Sequence, residues 1–233
     1  MKKLTLIFVI FLTSLFANAQ DKKDTTYQLP KIWSIGIKAN AGASMINFNF
    51  GSNAIITANN KFQVAFNGGV YFNNILNENE SFCFELLYVQ MNGLFNINAV
   101  ITDSLGNTTG SLNQDEYTHL TYFSIPLYYK YRISDLSLAL GLQVSYFLIS
   151  SEETKVTVIE SGTTTNSNSS SKNLSFTKYD YGPKLMLFYK LSNKVSLNLD
   201  YYYGLQNLDQ AGASFGISVK NQQLSLGASY KLY

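Results

Sequence analysis

The chain repeats one pattern along most of its length, in which large apolar residues alternate with small, polar or charged ones. Residues 33–41 read WSIGIKANA and residues 123–131 read FSIPLYYKY. An α-helix would need an apolar repeat of about 3.6 residues, so a repeat of two predicts β-strands whose two faces differ chemically. Eight runs of this kind occur: 33–41, 62–72, 82–88, 123–131, 138–146, 180–190, 197–204 and 224–232.

The connections between the runs alternate strictly between short and long. The short ones are 73–80, 132–136 and 192–195, and the long ones are 43–61, 93–116, 149–174 and 206–219. In an up-and-down meander this places every long connection at one end. Outer-membrane barrels have this asymmetry, with tight periplasmic turns and longer extracellular loops. We therefore expect an outer-membrane location with both termini periplasmic, because the strand number is even.

The two faces decide which side of the sheet meets lipid. An eight-stranded barrel has room inside only for side chains or one small ligand, and the bulky apolar face would overfill it. The sequence therefore predicts an all-β fold, an eight-stranded antiparallel up-and-down transmembrane β-barrel with its apolar face toward lipid. We expect the charged residues of the other face to form a structural network in a packed polar lumen: Lys38, Glu85, Lys130, Asp180, Lys184, Asp200 and Lys231.

The N-terminal residues predict export. Lys2 and Lys3 precede an apolar run that is too short to span a bilayer, and residues 17–19 form an A-x-A-type cleavage site. We expect a cleaved signal peptide at 1–19, exported by the Sec route, a periplasmic lead at 20–31 and the barrel domain at 32–233. The mature chain is nearly neutral, since two of the 17 basic residues leave with the signal peptide and 15 acidic residues remain. This balance argues against a nucleic-acid partner.

Five short motifs resemble the PorT-like outer-membrane β-barrel family over residues 32–233. They are Glu85-Leu86-Leu87-Tyr88, Ile125-Pro126-Leu127, Asp180-Tyr181-Gly182, Tyr203-Gly204-Leu205 and Tyr230-Lys231-Leu232. The resemblance implies a barrel in the outer membrane of a Gram-negative cell, in contact with lipid and lipopolysaccharide and inserted by the barrel-assembly machinery. A founding member supports protein secretion and gliding, so the resemblance also implies a protein partner in a secretion or envelope complex.

Catalysis and metal binding have little support in the residues. His119 is the only histidine and Cys83 the only cysteine, so no ligand cluster forms from them. A lipid-modifying hydrolase or acyltransferase would use His119 with a serine and an acid, but no G-x-S-x-G motif occurs and Ser124 is distant along its strand. We expect no catalytic, cofactor or metal site, and we expect Cys83 to be a buried thiol.

Three functions remain open. The first is a structural or interaction protein that displays extracellular loops and serves an envelope or secretion complex. The alternative is transport of a small solute or ion through the lumen, and the third is a lipid-modifying enzyme that uses His119. The segment 161–173, rich in Ser, Thr and Asn, is expected to be an irregular, mobile loop within the long connection 149–174.

Overall fold

The computed structural model describes residues 33–49, 57–102, 108–160, 163–172, 176–209 and 218–232. The predicted signal peptide and periplasmic lead lie outside these residues. The described residues form nine β-strands: β1 (Trp33–Asn49), β2 (Thr57–Ile75), β3 (Glu80–Thr102), β4 (Thr108–Ile133), β5 (Leu136–Glu160), β6 (Thr163–Lys172), β7 (Tyr179–Lys190), β8 (Val195–Tyr203) and β9 (Ser218–Lys231). No helix in this part of the chain has the length and hydropathy needed to cross a bilayer.

Eight of the described strands form a closed antiparallel ring. The order around the ring is β4-β3-β2-β1-β9-β8-β7-β5, and β4 also pairs with β5. The first strand, β1, pairs with the last, β9, from Gly36↔Lys231 to Asn49↔Ser218. This closed ring confirms the predicted eight-stranded barrel, and it pairs the edges that an open sheet would leave in hydrocarbon.

The ninth strand extends the sheet beyond the ring. β5 pairs with β7 over Leu136–Tyr146 and with β6 over Ser151–Glu160. β6 and β7 therefore follow each other along the same side of β5, and among the described strands β6 pairs only with β5. The prediction of an irregular loop at 161–173 is wrong over 163–172, because these residues form a regular strand.

The predicted long connections are also wrong over much of 93–116 and 149–174. β3 continues to Thr102, β4 begins at Thr108 and β5 continues to Glu160. The alternation marks only the part of each strand that has lipid on one side. In the extension of β3 the successive residues Leu94, Phe95 and Asn96 are all buried, so burial there does not alternate. We call the end of the barrel with these extensions the extended end, and the opposite end, with the connections 76–79, 134–135 and 191–194, the turn end.

The two faces have the predicted orientation. On β1, the Ile37 side chain is 48% exposed on the outside, whereas the neighbouring Lys38 is 3% exposed and points into the lumen. The same alternation continues on β5, where Leu140 is exposed and Ala139 is buried. Apolar side chains thus cover the outer surface, as a barrel in lipid requires.

The prediction of a polar lumen is correct toward the turn end and wrong toward the extended end, where apolar side chains fill the lumen. We call this cluster the apolar plug, and each of its nine members is at most 1% exposed. Above Glu85 the luminal residues of β3 become apolar, so the inner face of that strand changes character along its length. The plug consists of Ile46, Leu87, Val89, Met91, Leu120, Tyr122, Tyr202, Leu208 and Val219.

Candidate functional site

Four of the predicted luminal charges meet in one buried cluster, which we call the ionic cluster. Lys38 Nζ lies 2.7 Å from Asp200 Oδ2 and 3.1 Å from Glu85 Oε1. Lys184 Nζ lies 3.5 Å from the same Asp200 oxygen and 3.9 Å from Glu85 Oε2. With two ammonium and two carboxylate groups the cluster is neutral, which is the arrangement that a buried set of charges needs.

The ionic cluster joins side chains from four strands, of which only β7 and β8 pair with each other. Lys38 comes from β1, Glu85 from β3, Lys184 from β7 and Asp200 from β8. Each reaches the lumen because it occupies the inward position of a two-residue repeat. Neutral groups complete the hydrogen bonding: Tyr128 OH donates to Glu85 (2.8 Å), Lys184 Nζ to Gln143 Oε1 (3.1 Å) and Asn40 Nδ2 to Asp200 Oδ2 (3.2 Å).

Asp180 is luminal and fully buried, but it lies outside the ionic cluster. Asn221 Nδ2 donates both to Asp180 Oδ2 (2.9 Å) and to Tyr122 OH (3.0 Å). Among the described residues Asp180 forms no ion pair. A Cβ at Gly204 would lie 2.9 Å from both carboxylate oxygens, so a glycine at this position lets the carboxylate pack directly against the backbone. Asp180 therefore links the polar part of the lumen to the apolar plug.

Lys130 and Lys231, the remaining two predicted members, lie at the turn end. Both are half-buried and line a cavity of about 450 Å³, which we call the turn-end vestibule. Lys130 Nζ lies 5.2 Å from the centroid of the Phe188 ring, and Lys38 Nζ lies 5.5 Å from the same centroid. The vestibule thus extends inward to the ionic cluster, since Lys38 and Glu85 also line it.

The apolar plug includes a residue that sequence analysis missed. Leu208 lies in the connection after β8, and its amide donates to the Val219 carbonyl (2.9 Å), which draws this connection into the barrel. Its side chain is fully buried in the plug. No periodicity identifies it, because it lies outside a strand. The plug and the ionic cluster together occupy successive levels of the lumen.

His119 lies on the face of β4 opposite to the buried Leu120 and Tyr122, and its hydrogen-bond partner gives no catalytic arrangement. Its Nδ1 lies 2.9 Å from Asn92 Oδ1, an amide oxygen. Ser124, the serine considered in the sequence, instead donates to Ser145 Oγ (2.8 Å). His119 and Ser124 thus form hydrogen bonds to different partners in the barrel wall.

Cys83 is buried, as predicted, and its thiol donates to Asn73 Oδ1 (2.7 Å). It packs with Tyr128, Met186 and Phe188 between the turn-end vestibule and the ionic cluster. Across the described residues no group of three or more His, Cys, Asp or Glu side chains is placed to hold a metal ion.

A sequence model described as "Outer membrane protein beta-barrel domain" matches residues 18–210. The match spans the predicted barrel from before β1 into the connection after β8. No curated protein matches the chain.

Solved structures of outer-membrane proteins resemble the barrel at low sequence identity. The Neisserial surface protein A is 13% identical, with 85% of this chain and 97% of that chain covered and a TM-score of 0.39. The attachment invasion locus protein Ail of Yersinia pestis is 14% identical, with 86% and 97% covered and a TM-score of 0.35. OprG from Pseudomonas aeruginosa is 12% identical, with 86% and 96% covered and a TM-score of 0.38.

Proposed function

The chain belongs to the family of outer membrane protein beta-barrel domains, and from this premise we propose that it is a non-conducting barrel that presents its extended strands for interaction with envelope or secretion proteins. The observation that supports this proposal is the filled lumen. The apolar plug and the neutral ionic cluster occupy successive levels of it, so in the part of the chain that the structure describes the lumen is packed with side chains at both levels. A structural role for the packed lumen leaves the extensions as the part that meets other proteins.

The extensions are suited to interaction because they form a rigid polar sheet. β4 and β5 remain paired up to Gly110↔Glu160, and β6 adds a further strand along Ser151–Glu160. At about 3.3 Å per residue, this part of β5 is about 30 Å long. Binding residues tend to lie on segments that a rigid scaffold holds in place, and here the scaffold is the barrel.

The orientation forms part of the proposal: the extended end faces the outside of the cell, and both termini are periplasmic after signal-peptide cleavage. Ser167 on β6 and Ser192 in a turn-end connection are both exposed, so each can be replaced by cysteine. We expect a membrane-impermeant maleimide to label Ser167→Cys on intact cells and Ser192→Cys only after the outer membrane is permeabilised. Cys83 is buried and should stay unlabelled in both cases. The reverse labelling pattern would contradict this orientation.

Planar-bilayer recordings test the closed lumen directly. We expect the purified protein to insert without discrete conductance steps, while a general porin in the same bilayer gives them. Stable open channels would instead support the alternative of solute or ion transport through the lumen.

We further propose that the protein is not an enzyme. We also propose that, within its family, it is related to the PorT-like barrels that serve secretion or envelope complexes. The hydrogen bond between His119 and an amide oxygen supports the first point. His119→Ala should leave the acylation of lipid A unchanged in cells that carry the gene.

A photo-reactive residue at Asn166 on β6 should cross-link a protein partner in cells, whereas one at Asn193, at the turn end, should not cross-link that partner.

A further inference from the structure

The turn-end vestibule carries an excess of positive charge. Its lining has six cationic side chains against three carboxylates. Two of these groups, Lys38 and Glu85, already belong to the ionic cluster and neutralise each other at the inner end. The cationic residues are Lys38, Lys130, Arg132, Lys190, Lys194 and Lys231, and the carboxylates are Glu78, Glu80 and Glu85.

Of the two remaining carboxylates, that of Glu80 is hydrogen-bonded at the rim of the vestibule. Glu80 Oε2 accepts a hydrogen bond from Asn77 Nδ2 (2.6 Å) within the connection 76–79. Arg132 reaches the same connection, but its guanidinium donates to the backbone carbonyl of Glu78 and not to a carboxylate. Among the described residues, neither Glu78 nor Glu80 forms an ion pair with a lysine of the vestibule.

Four lysines of the vestibule, Lys130, Lys190, Lys194 and Lys231, form no ion pair with any described residue. Three of them are at inward-facing strand positions and are half-buried. Ammonium groups that converge in a cavity with low-dielectric walls repel one another and raise the local concentration of anions. We therefore expect the vestibule to bind anions in preference to neutral molecules.

The walls also supply neutral hydrogen-bond donors. Ser34 and Ser137 are buried and line the vestibule, and the Ser34 hydroxyl accepts a hydrogen bond from Asn73 Nδ2 (3.3 Å), which leaves its own hydrogen for donation. A hydroxyl group can donate to an oxyanion at the same time as an ammonium group does. Charge, hydroxyl donors and enclosure are thus combined in a single cavity.

We propose that the turn-end vestibule is a binding site for a small polyanion, a molecule that carries two or more phosphate or carboxylate groups. A cavity of about 450 Å³ is within the size range of small-molecule sites. The ionic cluster and the apolar plug close its inner end, so the ligand enters and leaves by the same opening. The site is one for binding and not for passage.

Calorimetric titration of the purified protein at low ionic strength tests the site. Pyrophosphate and citrate represent the phosphate and carboxylate forms of the ligand, and myo-inositol serves as a neutral molecule of similar size. We expect at least one of the two anions to bind, with an affinity that falls as sodium chloride is added, because salt screens exposed charges. If neither anion binds, or if myo-inositol binds equally well, the proposal is wrong.

Variants locate the binding in the vestibule. Lys130→Gln and Lys231→Gln should each raise Kd about tenfold, the loss expected when one charged hydrogen bond is removed, and Lys130→Arg should retain binding. Lys155→Gln, in the extension of β5, is the matched control and should bind as the wild type does. Trp33 fluorescence confirms that each variant is folded. Wild-type affinity in folded Lys130→Gln and Lys231→Gln variants would overturn the proposal without affecting the proposed function, which concerns the other end.

Discussion

Lys38 and Asp200 form a 2.7 Å ion pair in the lumen, although their strands, β1 and β8, share no backbone pairing and are separated by β9. The pair therefore acts as a side-chain connection between parts of the wall that the sheet joins only indirectly. Both side chains are almost fully buried, so the interaction is poorly screened by water.

Replacing Lys38 with methionine should destabilise the barrel strongly. The substitution leaves Glu85 and Asp200 with Lys184 as their only nearby cation, and an uncompensated buried charge costs about 3–5 kcal/mol. Urea unfolding in detergent, followed by Trp33 fluorescence, measures the change in the free energy of unfolding. Lys155→Met is the control, because its 3.4 Å pair with Glu153 is half-exposed and should contribute less than about 1 kcal/mol. Equal losses in the two variants would contradict a structural role for the ionic cluster.

Removal of residues 152–171, which hold the outer part of β5 and most of β6, should leave the barrel intact. Ser151 and Lys172 are cross-strand partners, so a two-residue turn can join them directly in place of residues 152–171. The deletion removes the pairing of β4 with residues 152–160 of β5, but β5 still pairs with β7 over Leu136–Tyr146 and with β4 from Ile133↔Leu136 to His119↔Ser151, so the ring stays closed. We expect the shortened protein to unfold at the urea concentration of the wild type. A loss of the folded form would show that the extension formed by β5 and β6 contributes to the stability of the barrel itself.

The extension of β4 should become less stable as pH rises toward neutrality. Burial, and then the Glu152 carboxylate, raise the pKa of Glu116 from 4.5 to about 7. The closed extension thus binds the Glu116 proton more tightly than an open one does, so this contribution is complete below pH 4.5 and is lost as pH increases to about 7. Hydrogen exchange of the β4 and β5 amides, corrected for the intrinsic rate, should show more opening at pH 8 than at pH 5. Glu116→Gln should remove most of this difference, and an unchanged difference in that variant would contradict the assignment.

The turn between β4 and β5 contains a residue with an unfavourable backbone conformation. Ser134 has a φ of 59°, a region in which an L-residue with a Cβ is strained and glycine is not. Ser134→Gly should therefore stabilise the barrel by about 0.5–1 kcal/mol, after the added entropy of the unfolded chain is considered. The same urea measurement checks this, and Ser137→Gly, which lies just inside β5, should destabilise the protein instead. A destabilised Ser134→Gly would mean that the serine side chain matters more than the backbone.

The fold could be predicted because lipid and lumen impose opposite requirements on successive residues. The position of Lys38 between Ile37 and Ala39 sufficed to place its ammonium group inside. Strand 163–172 could not be found in this way, because its surroundings are aqueous on both sides and no alternation is required. Its regularity comes from the backbone of β5, which continues outward and offers unpaired hydrogen-bonding groups.

The ionic cluster could be predicted only as a set of inward positions. Alternation gives the side of the sheet but not the height at which a side chain reaches the lumen, which depends on strand tilt and register. Consequently Asp180 and Lys130 were grouped with Lys38, although one lies beside the plug and the other in the vestibule. Leu208 was missed for another reason: it enters the barrel from a connection, where no repeat indicates burial.

The pairing of β1 with β9 affects how the protein is made. The N-terminal strand has no partner on one side until the last strand has been synthesised, since the two are joined from Gly36↔Lys231 onward. A nascent or truncated chain without β9 would thus have two unpaired edges, prone to aggregation in the periplasm and costly in a membrane. Closure of the barrel must therefore be a late event that requires the full-length chain, and until then the free strand edges have to be kept apart from those of other molecules.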